Sequence, residues 1–149
     1  MNPDQQLLRA FIAEGEVPLA FSSSAMAQAL EGHLVNANPE KGVVALCFKP
    51  PALFLQGNGV VQGGAVASML DFAMALTALL VMPDGYSAAT TNLNLVFLRS
   101  VKAGQSLLAE GYLERRGRSL VFSRAELKDE HGVLLATATS TLAVLPPPA

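Results

Sequence analysis

The sequence predicts an α+β domain in which a long, curved antiparallel sheet wraps around one central buried helix. Three observations lead there. Residues Ala65 to Met82 are apolar apart from Ser68, Asp71 and Thr77, and a helix apolar on every side belongs inside a fold. Four strand-like runs follow it, three of them about ten residues or longer, against the usual five or six. Hydrophobic residues make up 51% of the 149 positions and charged ones only 15%, well short of the roughly 25% of an ordinary soluble domain. Long antiparallel strands twist, and a twisted sheet can curl around one helix. The length fits a single domain over 1–149, with a helix and lead-in over 1–28 and a proline-rich tail at 146–149.

The elements follow in order. Leu7, Leu8, Phe11 and Ile12 share one helical face, which predicts a short amphipathic helix over residues 3 to 14, stopped by Gly15. Residues 16 to 28 stay open between turn, strand and a helical turn. Residues 29 to 37 and 42 to 49 read as a hairpin across "NPEKG", whose proline and closing glycine suit a reverse turn. Val44, Leu46 and Phe48 alternate with Val43, Ala45 and Cys47, and Pro50 and Pro51 end the strand. The loop "ALFLQGNG" leads to the long helix, which Pro83, Asp84 and Gly85 terminate. In "SAATTNLNLVFLR", Leu93, Leu95 and Phe97 alternate with Asn92 and Asn94. Strands over about 105–115 and 119–128 are joined by a hairpin containing Gly117, and a last strand over about 133–145 is reached through "DEHG". The closing "PPPA" cannot extend a sheet.

Composition excludes several classes. Cys47 is the one cysteine, so no intrachain disulfide forms, and without a Cys/His cluster no structural zinc is expected. "MNPDQQLLRAFIAEG" has neither the basic start nor the apolar run of a signal peptide, which predicts a cytoplasmic protein. The apolar helix would reach about 27 Å, short of the roughly 20 residues of a membrane span. It has no basic flanks, and Asp71 within it would cost roughly 2.5–3.5 kcal/mol on insertion. Burial between subunits is the simpler use for so much apolar surface. The net charge of −2 is uneven: residues 1–84 hold three basic and seven acidic residues, residues 85–149 seven and five. The basic set, Arg99, Lys102, Arg115, Arg116, Arg118 and Arg124, is too small for a nucleic-acid footprint. It suits a small anion such as a nucleotide phosphate.

The sharpest stretch is "VVQGGAVASMLD", residues 60 to 71, where two glycines enter the apolar helix and a carboxylate sits inside it. The first N–H groups of a helix are free and its dipole makes that end partly positive. With no Cβ at Gly63 or Gly64, a carbonyl oxygen can approach that backbone, as an oxyanion hole requires. Ser68, Asp71, Ala75 and Ala78 fall on one face, and three of the four are small. A carboxylate facing such a space can activate water or attack a carbonyl carbon. The plainer reading is a packing turn followed by a buried acid that holds a hydroxyl and fixes helix register.

"QGNGVVQGGAVASMLD", "TTNLNLVFLRSVKAGQ" and "RRGRSLVFSRAELKDEHGVLLATATSTLAVL" together resemble the hotdog-fold thioesterases, nearest the phenylacetate-degradation and 4-hydroxybenzoyl-CoA types. The resemblance covers roughly residues 29 to 145. The family pattern is an amide residue, a glycine three on, then usually His-Gly-Gly and an acid eight after the first of those glycines. It falls on Gln56, Gly59, Gln62-Gly63-Gly64 and Asp71. The resemblance implies hydrolysis of acyl-CoA thioesters to free acid and CoA, with no cofactor beyond the CoA of the substrate and no metal. It implies a homodimer or homotetramer whose sites are shared, the acid coming from one chain and the amide and glycine from the other.

On that resemblance, Asp71 is the catalytic carboxylate, Gly63 the N–H that polarises the thioester, and Gln56 the amide that holds water or substrate. Thr90 falls where relatives often carry a hydroxyl that places the water. Gln62 and Gly64 line the substrate. Gln62 stands in place of the usual histidine, so a proton role there is lost and Asp71 is the one strong candidate base. Strict alternation puts Thr91, not Thr90, on the face of Leu93; a bulge or the subunit boundary would restore Thr90. Arg115, Arg116 and Arg118 lie where relatives approach the CoA phosphates, with Arg99 and Lys102 ranked below them. Phe72, Met69 and Met74 are candidates for an acyl pocket. His33 reads as a surface strand residue, His131 as a turn residue, and Cys47 as core with no histidine beside it. Two other functions stay open: an acyl-CoA binder without turnover, which the missing histidine favours, and a hydratase of enoyl thioesters, which usually pairs a histidine with an acid.

Overall fold

The computed structural model describes residues 1–15 and 17–149. Its elements are α1 (Pro3–Ala13), β1 (Leu19–Ala20), α2 (Ala25–Ala29), β2 (His33–Asn38), β3 (Val43–Phe48), a 3-10 turn (Ala52–Phe54), α3 (Gly63–Leu80), β4 (Ser87–Phe97), β5 (Leu107–Arg116), β6 (Leu120–Asp129) and β7 (Leu134–Leu145). The strands form one antiparallel sheet in the order β1-β2-β3-β5-β6-β7-β4. It curls around α3, which packs on β3, β4, β5, β6 and β7, while α1 covers α3 from outside. This is the predicted architecture.

The wrap explains why α3 is apolar on nearly every side. Val66, Met69, Leu70, Ala73, Met74, Leu76 and Leu80 are buried against the sheet. The facing strands supply Leu46, Phe48, Ala109, Val121, Ala125, Leu127, Ala138 and Leu142, all buried. With 18 residues and a mean hydropathy of 1.6, α3 comes close to a membrane span; here a sheet wraps most of it. Met69 and Met74 are wholly buried in this core, so they do not line an acyl pocket. Only Phe72 of the three candidates is half-buried.

Sheet and helix approach closely at Gly111 on β5. A Cβ there would collide with the Ala73 carbonyl oxygen and the Thr77 hydroxyl. Thr77 Oγ1 itself donates to Ala73 O at 2.7 Å, so neither atom is free to swing away. Gly111→Ala is expected to push α3 off the sheet and destabilise the fold by about 1–3 kcal/mol or more, readable as a lower urea midpoint.

Local chemistry fixes the remaining elements. Asn2 caps α1, its side chain accepting from Gln5 N, and proline occupies the first turn. Gln5 is fully buried because its amide is spent on the turn after α3: Nε2 donates to Pro83 O and Oε1 accepts from Gly85 N. Of the open stretch 16–28, residue 16 lies outside the described residues. The rest resolves into β1 and the short α2, capped by the Ser24 side chain on Ala27 N. The predicted hairpin narrows to β2 and β3. In its turn Asn38 Oδ1 accepts from Lys41 N.

Candidate active site

α3 begins at Gly63, with Gln62 as its N-cap. Gln62 N donates to Phe54 O at 2.7 Å, and its carbonyl accepts from Ala65 N and Val66 N. Among the described residues nothing accepts a hydrogen bond from Gly63 N–H or Gly64 N–H. The Gln62 side chain makes no cap and is exposed. The helix therefore opens with free donors, as its end effect requires.

Gly63 lines a cleft of about 400 Å³ together with Gln56, Val61, Phe97, Arg99 and Val101, among others. The loop that carries Gln56 is pinned. Val61 N donates to Val101 O at 2.7 Å, and Gln56 N donates to Val60 O at 2.8 Å. Gly59 N closes the turn on Gln56 O, with φ +84° at Gly59. That left-handed backbone is the reason for a glycine three residues after the amide. Gln56 and Gly63 thus belong to one cleft, as the pattern of residues implied.

Asp71 lies elsewhere on the chain. It is partly exposed, on a stripe of α3 formed by Gly64, Ala67, Ser68, Asp71, Phe72 and Ala75 that the sheet leaves uncovered. Ala78, expected on this face, is fully buried, because the stripe turns under the sheet before that point. Ser68 spends its hydroxyl on Gly64 O at 2.8 Å. Thr90 Oγ1 donates to Asp71 Oδ1 at 2.8 Å. The register explains how: Thr90 pairs with Leu142 and Asn92 with Thr141, so β4 bulges at Thr91. The bulge returns Thr90 to the helix-facing side, and Thr91 Oγ1 instead donates to Thr141 O. Asp71 is eight residues beyond Gly63, about 12 Å along the helix. Its carboxylate cannot touch a carbonyl held at Gly63 of the same chain.

The basic residues separate into three groups. Arg115, Arg116 and Arg118 are exposed at the β5–β6 turn, and none lines the Gln56–Gly63 cleft. Register across β6, β7 and β4 runs Val121, Leu142, Thr90, so this turn sits at the Thr90 end of the sheet. Arg124 is committed to Glu114 at 2.7 Å and lies over the Tyr112 ring. Arg99, ranked low from sequence, is the cation in the cleft wall, with Nη1 donating to Leu134 O at 2.9 Å. Its cue was position: it lies two residues past the end of β4 at Phe97, whose ring reaches Gly63 at the start of α3.

Among the described residues neither histidine is hydrogen-bonded to Asp71. His131 is exposed in the β6–β7 turn. His33 is paired directly with Cys47 across β2 and β3, which corrects the expectation that no histidine stands beside the thiol. Burial still pushes the Cys47 pKa up, so the thiol stays protonated and remains a poor nucleophile.

The chain resembles known proteins in sequence and in fold. The family model for the thioesterase superfamily matches residues 58–136. The chain is 36% identical to a phenylacetic acid degradation-related protein from Ralstonia eutropha, over 90% of this chain and 97% of that one, with a TM-score of 0.78. It is 24% identical to acyl-coenzyme A thioesterase 13 of Mus musculus, over 72% of this chain and 76% of the relative. A Streptococcus mutans protein bound to acetyl CoA shares the fold at 23% identity and a TM-score of 0.70, over 78% of this chain and 90% of that one. With its helix wrapped in a single sheet and more than half its length matched, the chain belongs to the thioesterase superfamily and adopts the hotdog fold.

Proposed function

We propose that the protein hydrolyses acyl-CoA thioesters to a free acid and CoA, at sites shared between two copies of the chain. The observation that carries this is Gly63, first residue of α3, whose N–H has no acceptor among the described residues and which lines the same cleft as Gln56. The thioester carbonyl oxygen docks on that N–H, with Gln56 holding water or substrate beside it and Gln62 and Gly64 bordering the acyl-CoA. Asp71 comes from the second copy, because its own helix holds it about 12 Å from Gly63. Among the described residues the outer edge of β4 has no strand partner, and Val96 and Phe97 on it are each 56% exposed. A second chain pairing there covers that edge and carries its Asp71 towards the cleft. The assembly is a homodimer or a dimer of dimers.

The chemistry balances without a metal or cofactor. Acting as base, Asp71 takes a proton from water while the water oxygen bonds to the carbonyl carbon. The oxyanion collapses and the C–S bond breaks. Acting as nucleophile, the carboxylate displaces the thiolate to give a mixed anhydride, which water then cleaves. Either way the leaving group is a thiolate, whose ordinary pKa near 8.5 lets it depart with little acid assistance. That makes Gln62 in place of histidine tolerable. Arg99 in the cleft, or the arginines at positions 115, 116 and 118 of the copy supplying Asp71, offer charge for the CoA phosphates. The Mus musculus relative is named for the same substrate class. We place the enzyme in the cytoplasm.

A thiol-release screen over short, long and aromatic acyl-CoAs tests this, with turnover of at least one expected. Thr90→Val keeps the shape and deletes the hydrogen bond to Asp71. It is expected to lower kcat by roughly 10–100-fold with an unchanged melting curve, on the ordinary worth of a hydrogen bond to a charged group. Gln62 favours one second reading, an acyl-CoA binder without turnover. Calorimetric binding with no thiol release in the whole screen would select it.

A further inference from the structure

Phe21 joins two regions that the thioesterase reading leaves unconnected. Its ring packs on Phe72, with centroids 5.2 Å apart and planes tilted by 52°. Phe72 follows Asp71 on the uncovered stripe of α3, where its neighbours Gly64, Ala67, Ser68 and Ala75 are all small. An acyl chain whose carbonyl lies near Asp71 therefore meets one large side chain on that stripe, Phe72, and behind it Phe21. Phe21 is 1% exposed. It is also a wall of a separate cavity of about 540 Å³, together with Ala20, Gly32, Cys47, Phe48 and Lys49. Gly32 helps to keep that space open: a Cβ there would stand 2.8 Å from the Phe48 ring.

We propose that Phe21 determines acyl-chain specificity as a plug, ending the acyl pocket at Phe72 and closing off the cavity beyond. The proposal rests on the thioesterase reading. The lining includes Ala20, Phe48 and Cys47, which present hydrocarbon and a thiol, beside the polar Gln28, Glu31, His33, Lys49 and Ser106, so its apolar part suits the tail of a long acyl chain. With Phe21 in place the enzyme handles short or compact acyl groups. Without it the pocket continues into the cavity.

The test is kcat/KM across straight-chain acyl-CoAs of increasing length for the wild type and Phe21→Ala. The optimum is expected to move to longer chains in the variant, by about 4-fold in kcat/KM for each added methylene that the cavity takes up. Should Phe21→Ala fail to fold, Phe21→Leu keeps an apolar filling and is expected to shift the optimum in the same direction by less. Cys47 gives a readout independent of turnover, being the one cysteine and a cavity wall. A long-chain thioether analogue of acyl-CoA is expected to slow its alkylation in the variant and not in the wild type. An active variant with the wild-type chain-length profile overturns the plug alone. Absence of turnover in the wild type overturns the thioesterase reading, and the alkylation result then decides the plug: protection in the variant supports it, and no protection overturns it.

Discussion

Asp71→Asn yields a folded protein that has lost most of its turnover. The side chain is partly exposed and accepts one protein hydrogen bond, from Thr90 Oγ1 at 2.8 Å. Asparagine keeps a carbonyl oxygen at that position, so Thr90 retains its acceptor and the helix its packing. What disappears is the ability to take a proton or to attack as a carboxylate. General-base contributions run to about 10²–10⁴-fold, and the loss belongs in kcat with little change in KM. Thiol release from the best substrate, followed beside a thermal melt, reads both parts. Full activity in the variant would show that the carboxylate is structural.

Gly63→Pro is the second large effect, and it replaces the backbone N–H with a ring carbon. Residue 63 is the first position of α3, where proline is well tolerated because that N–H has no helical partner. Gln62 before it has φ −58° and ψ 137°, the extended backbone that a residue preceding proline adopts. A Cβ at 63 meets the Phe97 ring at 3.4 Å, an ordinary contact. The helix is therefore kept and the proposed oxyanion donor deleted. A loss of about 10²–10³ in kcat is expected, with the far-UV circular dichroism of the wild type. Unchanged kcat in a folded Gly63→Pro would remove the backbone N–H from the mechanism.

Much of this fold was legible because its signals are dense. The unbroken apolar run of α3 and the four long strands after it leave few arrangements other than a sheet around a helix. The stretch 17–28 was not legible. Its two-residue strand and five-residue helix are too short for periodicity to register, and they are set by the Ser24 cap and by packing. The burial of Gln5 was hidden for another reason: its partners, Pro83 and Gly85, are some eighty residues away in sequence. Within the candidate site, the glycine pair and the acid eight residues on singled out Gly63 and Asp71, and the resemblance added Gln56. Thr90 depended on the bulge at Thr91, which a period of two cannot express. The place of Arg99 in the cleft wall was hidden because a cleft is assembled by strand position, whereas the sequence displays charge only as a cluster at Arg115, Arg116 and Arg118. Met69 and Met74 were misassigned because residue type alone does not distinguish a core stripe from a pocket stripe on a helix that is buried on most sides.

The central claim is that one copy supplies Gly63 and the other Asp71, and mixing the two inactive variants tests it most directly. Asp71→Asn and Gly63→Pro chains, co-expressed at equal levels, assemble into mixed dimers that contain one site with both groups intact. The account predicts recovery of thiol release to on the order of a quarter of wild-type turnover, the share of intact sites under random pairing in a twofold dimer. Activity in the mixture no higher than in either variant alone, with mixed dimers demonstrated by differential tagging, would contradict it.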